Sequence, residues 1–505
     1  MYTVRIYSQL EDRLDAEFYN PEALKTVQKI DELGKTKRLG QLIAEGYRVV
    51  YHGTDSINGI TEDKLLPFLS PTQIDDQGGI DFTSVDKLPI YYKDDYPKGL
   101  AVAGELLIEV KGNVSKVGVV PEIFPKHLMV SGSLYKASFK DDTNSRYVLA
   151  FLKSKPGQLL KNRLTSNTII NYIAKGALYS IPLFVAEADV QKYIGDKVRQ
   201  AERLRAWGRR SYQESVDLFQ DAVANYGYLP KPSNNFAWTK LGNRLDPAYY
   251  DPKYSFLDET WFLTNSLPLR EFIAEGAYGV LPDSSSYGFG DQRFIRATDI
   301  RKSNIDATAF TLVPSDQVAA KAKIKTGDIL LEIKGAIEAC ELAGAHLSGA
   351  YVNGSIYRFS PKNIKAGYLA FYLRSFIKQL YCERVSVNNI IAYLDLGSIS
   401  ALPVLRLTDE LEDGIEQAFL SHLESTRYAF ALTKAAKLLV EALIEGQLTE
   451  AELIAAEQAL QAGNDQLDRR ILHRLKADGI DGQGPALFSD LDELYRLLAQ
   501  AEADE

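Results

Sequence analysis

The sequence repeats itself over most of its length, and this repeat limits the folds open to the chain. Five segments of the first half recur in the same order in the second half, at an offset that falls from 231 to 221 residues. The matched segments are 13–21 with 244–252, 42–46 with 272–276, 104–112 with 327–335, 132–135 with 354–357, and 167–172 with 388–393. Five collinear matches are not expected by chance, so the sequence predicts a tandem duplication of one unit of about 225 residues.

Each unit has the same predicted order of elements, from short strands to a long helix. The matched segments 104–112 and 327–335 have the pattern of a buried strand that leaves a glycine turn, and 351–359 predicts a strand with a glycine interruption. One short helix is then predicted over 145–160 and its counterpart over 367–380. Apolar residues spaced four apart predict the long helices that follow, over about 186–226 and 409–446.

These elements define the expected fold class, which is α/β (α+β). We expect a tandem duplication of a β-rich domain followed by a long helix, with the two helices pairing as an antiparallel coiled coil. The predicted divisions are a first domain at 1–185, a long helix and linker at 186–235, a second domain at 236–407, a second long helix at 408–446 and a helical tail at 447–505.

The net charge of −9 lies almost entirely in that tail. Residues 447–505 contain 13 acidic and 5 basic residues, which leaves the duplicated body close to neutral. The acidity is therefore no argument against a nucleic-acid partner of the body. We expect Thr449 to cap the first helix of the tail, and we hypothesise that the tail contacts a basic partner or screens a DNA-binding groove.

Cysteine content and hydropathy exclude several other classes. The two cysteines, Cys340 and Cys382, rule out a disulfide scaffold and a zinc site of four thiolates. No run of 18 apolar residues is present, and the first residues lack the basic and apolar regions of a signal peptide. We therefore expect a soluble, cytoplasmic protein.

Local motifs in the two units resemble those of the specificity subunit of type I restriction-modification systems. The resemblance covers about residues 10–446 and lies in a helix end, in a turn and strand before a DNA-facing loop, and in a loop before a strand with a hydrophobic-Pro pair. The matching segments are 436–448 for the helix end, 104–107 and 327–330 for the turn and strand, and 167–170 and 388–391 ahead of 181–183 and 402–404 for the last loop.

This resemblance implies a DNA-binding subunit of a phage-defence complex. Two target-recognition domains would each bind one half of a split double-stranded DNA sequence. The long helices would set the spacing of the halves and dock methyltransferase subunits, expected in two copies, and through them a restriction subunit. The resemblance implies no catalysis on this chain: S-adenosylmethionine and ATP, DNA methylation and cleavage would belong to the partner subunits.

The residues expected at the DNA lie in two loops of each unit. Recognition of bases uses amide and guanidinium groups, and phosphate contacts use Lys, Arg, hydroxyl and backbone N–H groups. The candidates are Lys111, Asn113, Ser115, Lys116, Arg163, Ser166, Asn167 and Thr168 in the first unit, and Lys334, Arg384, Ser386, Asn388 and Asn389 in the second. The alternative is that these segments are ordinary solvated hairpins, helix C-caps and turns with internal side-chain hydrogen bonds.

The long helices carry the candidates for contact with a partner protein. Five arginines within residues 199–210 could face DNA phosphates or an acidic partner, or form a plain solvated helix face. Trp207 would be an anchor in such an interface. The residues proposed for partner binding are Arg199, Arg203, Trp207, Leu423 and Leu439.

Two other function classes stay open at the level of sequence. Asp316 with Glu332 and Lys334, and Asp95 with Glu109 and Lys111, have the look of an acidic-x-Lys site that could hold Mg²⁺ in a nuclease. Acidic strings that end in Glu-x-Lys are also common at the ends of strands with one solvated face. The second alternative is a duplicated, non-catalytic adaptor of a defence complex, which would bind partners without salt-dependent affinity for DNA.

Overall fold

The structure, a computed structural model, describes residues 16–51, 53–165, 170–224, 247–301, 305, 310–386 and 392–504. Its internal contacts divide the chain into two compact units, which differ from the two copies of the repeat. The first unit is Met1–Ala206 with Tyr428–Glu505, and the second unit is Trp207–Arg427. This division passes through both long helices, whereas the predicted domain boundaries lie at their ends. In the described part of the chain, no helix combines the length and apolar character needed to cross a membrane.

The first copy of the repeat is a β-rich domain followed by a long helix. Its strands are β1 (Thr36–Arg38), β2 (Ile43–Tyr47), β3 (Leu65–Leu69), β4 (Asp86–Pro89), β5 (Leu106–Glu109), β6 (Lys111–Gly112), β7 (Val117–Val119), β8 (Met129–Val130), β9 (Leu134–Phe139), β10 (Asn171–Tyr172) and β11 (Pro182–Phe184). Its helices are α1 (Pro21–Glu32), α2 (Leu39–Leu42), α3 (Tyr92–Asp95), α4 (Ser145–Lys153), α5 (Lys155–Asn162), α6 (Lys175–Tyr179) and α7 (Ala188–Ala224).

In the described residues the second copy has eleven strands, like the first, and six α-helices where the first has seven. Its strands are β12 (Ser266–Pro268), β13 (Ile273–Tyr278), β14 (Gln292–Ile295), β15 (Thr311–Val313), β16 (Ile329–Glu332), β17 (Lys334–Gly335), β18 (Cys340–Leu342), β19 (Tyr351–Val352), β20 (Ile356–Pro361), β21 (Ala392–Tyr393) and β22 (Pro403–Leu405). Its helices are α8 (Thr260–Asn265), α9 (Ala297–Ile300), α10 (Ala366–Tyr372), α11 (Phe376–Val385), α12 (Leu396–Ala401) and α13 (Asp409–Ile444).

Sheet topology confirms the tandem duplication. The first copy has a four-stranded sheet of order β2-β9-β5-β7, a three-stranded sheet β4-β3-β8, and the two-stranded pairs β6-β10 and β1-β11. The second copy has the corresponding sheets β13-β20-β16-β18 and β15-β14-β19, with the pairs β17-β21 and β12-β22. The mixed α/β fold class predicted from the sequence is therefore correct.

The two copies also fill their cores with residues at matching positions. Leu107 and Leu134 of the four-stranded sheet pack in one buried cluster with residues of the three-stranded sheet, and Leu330 and Ile356 do so in the second copy. A buried ion pair recurs beside these strands. Lys136 Nζ lies 3.1 Å from a Glu105 carboxylate oxygen, and Arg358 Nη1 lies 2.6 Å from Asp328 Oδ2.

The short helix predicted after the sheets is two helices in each copy, which corrects the sequence prediction. In the first copy α4 ends before Ser154, whose hydroxyl donates to the Phe151 carbonyl at 2.6 Å and accepts from the Gly157 N–H at 3.3 Å. Pro156 then occupies the first turn of α5, where its missing N–H does no harm. The predicted strand over 351–359 is likewise divided, into β19 and β20, which belong to different sheets.

The long helices α7 and α13 run antiparallel to each other within each unit. In the first unit Arg205 Nη2 donates to Thr433 Oγ1 at 3.0 Å. In the second unit His422 Nδ1 lies 2.9 Å from the Gly208 carbonyl oxygen. A Cβ on Gly208 would lie 2.2 Å from Ser425 Oγ, so a larger residue there would displace the Ser425 hydroxyl.

The C-terminal segment folds as part of the first unit. It contains α14 (Glu450–Gln461), α15 (Gln466–Arg474), β23 (Leu475–Lys476), β24 (Gly479–Ile480) and α16 (Leu491–Ala503). Thr449 caps α14 as predicted, because Thr449 Oγ1 accepts from the Glu452 N–H while the Glu452 carboxylate accepts from the Thr449 N–H.

A buried ion pair fixes this segment to α7. Asp468 lies 2.7 Å from Lys197 Nζ and accepts hydrogen bonds from the hydroxyls of Tyr193, at 2.5 Å, and Tyr495. Both members of the ion pair are almost fully buried. The segment predicted as an acidic helical tail thus uses one of its carboxylates inside the unit.

Replacing Asp468 with Asn should destabilise the first unit by about 3–5 kcal/mol near pH 7, because the buried Lys197 ammonium loses its counter-charge. Burial alone would raise the pKa of Asp468, but Lys197 and the two tyrosine hydroxyls lower it overall. A carboxyl with a lowered pKa stabilises the fold above its unfolded-state pKa, about 3.9, and this contribution is lost as the pH falls through the folded pKa. In urea unfolding, the difference from the parent protein should therefore shrink below about pH 4.

The matched control is Asp492→Asn in the same segment. Asp492 is 91% exposed and pairs with Arg469 at 2.7 Å, so its loss should change the free energy of unfolding by about 1 kcal/mol or less. If Asp468→Asn proved as mild as this control, the buried pair would not be what holds the segment.

Candidate nucleic-acid interface

The loops that follow β5 and β16 have the same irregular backbone in both copies. Gly112 and Gly335 have φ angles of 121° and 117°, and the non-glycine residues Val114 and Ile337 have φ angles of 50° and 58°. A non-glycine residue in this region costs free energy and persists only where its surroundings hold it. The repetition of this geometry shows that the loop is a built element of the repeat and not a variable surface turn.

A buried carboxylate at the end of each strand holds the loop. Glu109 Oε1 accepts from the Asn113 N–H at 3.1 Å, and Oε2 accepts from the N–H groups of Ser115 and Lys116 at 3.0 and 3.1 Å. Glu332 is also buried, accepts from the Ala339 N–H at 3.4 Å and pairs with Arg301. These carboxylates have a structural role in organising the loop.

The two aspartates of the predicted nuclease alternative, Asp95 and Asp316, lie in elements other than these loops. Asp95 ends helix α3, and Asp316 lies in the 3₁₀ turn Ser315–Gln317. Among the described residues no three His, Cys, Asp or Glu side chains group closely enough to hold a metal ion. No geometric observation in the described ranges therefore favours the nuclease alternative.

A two-stranded ribbon in each copy pairs the start of the first predicted loop with the strand that follows the second. β6 pairs with β10 so that Lys111 lies opposite Tyr172, and β17 pairs with β21 so that Lys334 lies opposite Tyr393. β10 and β21 begin directly after the second predicted loop of each copy. Ser166, Asn167, Thr168, Asn388 and Asn389, predicted in those loops, lie outside the described residues.

The candidates of the first loop differ in their exposure. Lys111, Asn113 and Lys334 are exposed, whereas Ser115 and Lys116 are half-buried. Lys116 pairs with Asp76, which leaves Lys111 and Asn113 as the most accessible candidates of the first loop.

Arg163 and Arg384 have an intradomain contact that the sequence did not reveal. The Arg163 guanidinium lies 4.2 Å from the centre of the Phe18 ring, and that of Arg384 lies 4.5 Å from the Tyr249 ring. Arg384 also donates to both carboxylate oxygens of Asp258 at 2.8 Å. Ser386 lies directly after α11, and its hydroxyl donates to the Glu383 carbonyl at 3.4 Å. Both arginines therefore join the start of their repeat to the end of a short helix.

The residues proposed for partner binding fall into two groups. Arg199 is 42% exposed and pairs with Asp196, and Arg203 is 36% exposed and lies 3.8 Å from Glu502. Leu423 is half-buried against the core of the second unit, Trp207 is 8% exposed, and Leu439 has no exposed surface. The structure thus removes Leu439 from any docking face of the folded chain, because its helix position points into the core.

The structure places three further cations beside the ribbon of the first copy. Arg48, Lys98 and Lys175 each lie over a tyrosine ring, those of Tyr172, Tyr47 and Tyr179, at 5.4, 5.4 and 5.1 Å from the ring centres. No local sequence pattern singles them out, because they come from three separate segments. The signal that could have found them is a difference between copies, since Arg48 and Lys175 match uncharged residues in the second copy.

A buried lysine lies behind the first loop. Lys161 has no exposed surface, and its Nζ has no hydrogen-bond partner in the described part of the chain. Burial, helped by the charge of Lys153, lowers the pKa of Lys161 to about 7, against the opposing effect of Glu109. The matching residue of the second copy is Cys382, which is buried and uncharged because burial raises the pKa of its thiol to about 11.

Comparison with known proteins gives similarities of fold only. The chain matches no model of a known protein family and no curated protein sequence. The solved structures similar to it include the S subunit of a type I restriction-modification system from M. genitalium, with a TM-score of 0.42 and 12% identity over 82% of this chain and 96% of the subunit.

Two further solved structures are also type I restriction-modification proteins. One is a chain from work on complex assembly and conformational transition of the type I system, with a TM-score of 0.28 and 14% identity over 82% of this chain and 98% of its own length. The other is the HsdS subunit from Thermoanaerobacter tengcongensis, with a TM-score of 0.24 and 17% identity over 85% of this chain and 96% of the subunit. At these identities and scores the likeness carries no argument about function.

Replacing Lys161 with Met should stabilise the protein by about 1–3 kcal/mol at pH 7, because an apolar side chain of similar length needs no hydrogen-bond partner in the interior. The folded-state pKa lies below the unfolded value of about 10.4, so the lysine costs stability most at pH 7 and below. The gain measured in urea unfolding should therefore decrease as the pH rises from 7 towards 10.

The exposed residue Lys155 provides the control for this substitution. Its side chain is 79% exposed, so Lys155→Met should leave the free energy of unfolding almost unchanged at every pH. A Lys161→Met variant that is less stable than the parent protein, or a gain that does not depend on pH, would contradict the account of the buried amine.

Proposed function

We propose that the chain is the DNA sequence-specificity subunit of a type I restriction-modification complex. Its two β-rich domains each bind one half of a split double-stranded DNA sequence, and the chain itself performs no chemistry. The observation that carries this proposal is the ribbon present in both copies, with the same backbone and different side chains.

The ribbon loops have the chemistry of a DNA contact. Each carries an exposed lysine, Lys111 or Lys334, at the same position for a phosphate contact. The residues that follow differ, since the first loop continues with Asn113, Ser115 and Lys116 where the second has Ala336, Glu338 and Ala339. One scaffold that presents different side chains suits two domains that recognise different half-sites.

The partners follow from the same proposal. Methyltransferase subunits, in two copies, would dock on the long helices, where Arg199 and Arg203 are exposed. A restriction subunit would join through them, and S-adenosylmethionine and ATP would bind to these partners. The helices α7 and α13 would set the distance between the two half-sites.

Selection of bound fragments from random double-stranded DNA, with the chain and its methyltransferase partner present, tests this function. We expect the bound fragments to share one split sequence with a constant spacer. Asn113→Ala should relax the preference in one half only, by about 1–3 kcal/mol at the affected base pair, because an amide that contacts a base edge is lost.

The control is Asn58→Ala, an exposed asparagine of the same domain outside the ribbon, which should leave both halves unchanged. Bound fragments without a split sequence would contradict the proposal. Stable partner binding without salt-dependent affinity for DNA would instead favour the adaptor alternative.

A further inference from the structure

Four cations of the first copy gather beside its ribbon, and none of them pairs with a carboxylate of the described residues. In the described part of the chain, Arg48, Lys98, Lys111 and Lys175 form no ion pair, whereas Lys35, Lys37, Lys87 and Lys116 all pair with carboxylates. Cations gathered without counter-charge create a local positive potential, which favours an anion.

These cations surround a cleft of about 270 Å³. Arg48 and Lys175 line it together with Tyr47 and Tyr172. Lys98 lies over the Tyr47 ring, and Lys111 is the cross-strand neighbour of Tyr172. Tyr47 is 40% exposed, so its ring is open to a ligand on one side.

The floor of the cleft is a preformed structure. The hydroxyls of Tyr135 and Tyr179 lie 2.8 Å apart, and a Cβ at Gly46 would lie 2.3 Å from Tyr135 Oη. Arg48 is held by hydrogen bonds from Nε to the Gly132 carbonyl at 2.6 Å and from Nη1 to Tyr172 Oη at 3.3 Å. A fixed guanidinium loses little conformational entropy when it binds a phosphate.

The second copy has the same scaffold without two of these cations, those at the positions of Arg48 and Lys175. In the sheet register Tyr47 lies opposite Lys136 and Ala277 lies opposite the matching Arg358, so Tyr47 corresponds to Ala277. The next residue is Arg48 in the first copy and Tyr278 in the second. Lys175 begins α6, and Leu396 begins the matching helix α12.

We propose that the cleft of the first copy binds a phosphate of the DNA backbone, with the adjoining sugar or base against the rings of Tyr47 and Tyr172, and that the second cleft does not. Arg48 and Lys175 contact the phosphate, and Lys98 and Lys111 add to the local positive potential. This inference rests on the proposed function and adds that the first domain supplies more of the salt-dependent affinity than the second.

The test measures fluorescence anisotropy of a labelled random-sequence duplex with the full chain, from roughly 50 to 200 mM salt. For the double variant Arg48→Gln with Lys175→Gln, the slope of log affinity against log salt should fall in magnitude by about 1–2, and affinity should fall about tenfold in low salt. Circular dichroism establishes that the variant is folded.

The matched control removes two lysines of the same unit that lie outside the cleft. Lys25→Gln with Lys126→Gln makes the same change in net charge at two exposed sites and should leave the slope close to that of the parent protein. If the parent protein binds DNA and the cleft variant equals this control, the cleft inference fails and the proposed function stands. If the parent protein shows no salt-dependent binding, the proposed function itself fails.

Two further arms complete the test. Transfer of the charges to the second copy, by Tyr278→Arg with Leu396→Lys, should steepen the slope, and an unchanged slope in a folded variant would overturn the assignment of these positions. Competition with adenosine monophosphate tests whether the cleft binds a phosphate of DNA or that of a free nucleotide. If adenosine monophosphate does not displace the duplex, the proposal is supported. Displacement of the duplex at nucleotide concentrations far below the salt concentration overturns it.

Discussion

The shape of each candidate DNA loop depends on the buried carboxylate with which its central strand ends. A carboxylate inside a domain needs hydrogen-bond donors, and the backbone of the next few residues turns back to supply them. At Glu109 the turn of the backbone brings three N–H groups to the two carboxylate oxygens. The same backbone turn requires a positive φ angle at Gly112, where a Cβ would lie 2.6 Å from Glu109 Oε1.

This clamp lets the outer side chains of the loop vary without loss of its shape. The carboxylate is bound to backbone groups, which every residue except proline provides. Lys111 and Lys334 are presented at the same place in the two copies, while the residues after them differ. A protein that must distinguish two half-sites with one repeated fold needs this separation between a constant frame and variable contacts.

The two copies of the repeat differ more in the charge of their candidate interfaces than in backbone shape. Lys35, Lys37, Lys87 and Lys116 of the first domain are paired with carboxylates, whereas Arg48 and Lys175 lie together in one cleft beside the ribbon and form no ion pair in the described part of the chain. In the second copy Tyr278 and Leu396 replace Arg48 and Lys175, and the Tyr278 ring packs 5.4 Å from Tyr357. The duplication thus preserves the frame while the electrostatics of the two candidate interfaces differ.

The sequence predicted those features that local patterns determine. The repeat, the long helices at 188–224 and 409–444 and the Thr449 cap all follow from periodicity or from a motif a few residues long. The break at Ser154 was missed although Pro156 and Gly157 mark it in the sequence. The contact of Asp468 with Lys197 joins residues far apart in the chain, so no local pattern indicates that the C-terminal segment is docked.

The candidate site was predicted in part for the same reason. Lys111 and Lys334 follow a recognisable strand and turn, and their place at the start of the ribbon could be expected from the sequence. The stacking of Arg163 on Phe18 and of Arg384 on Tyr249 depends on the tertiary fold, as does the gathering of Arg48, Lys98 and Lys175. Long-range packing, which brings segments together only in the folded domain, is the part that sequence patterns do not contain.

Under the proposed function, one chain with two matched domains selects a split DNA sequence for its partners. The most direct measurement is a genome-wide map of methylated bases in cells with and without this chain. We expect a set of methylated sites that share two short sequences at a constant separation and that disappear when the chain is removed. An unchanged map, or lost sites that share one continuous sequence, would contradict it.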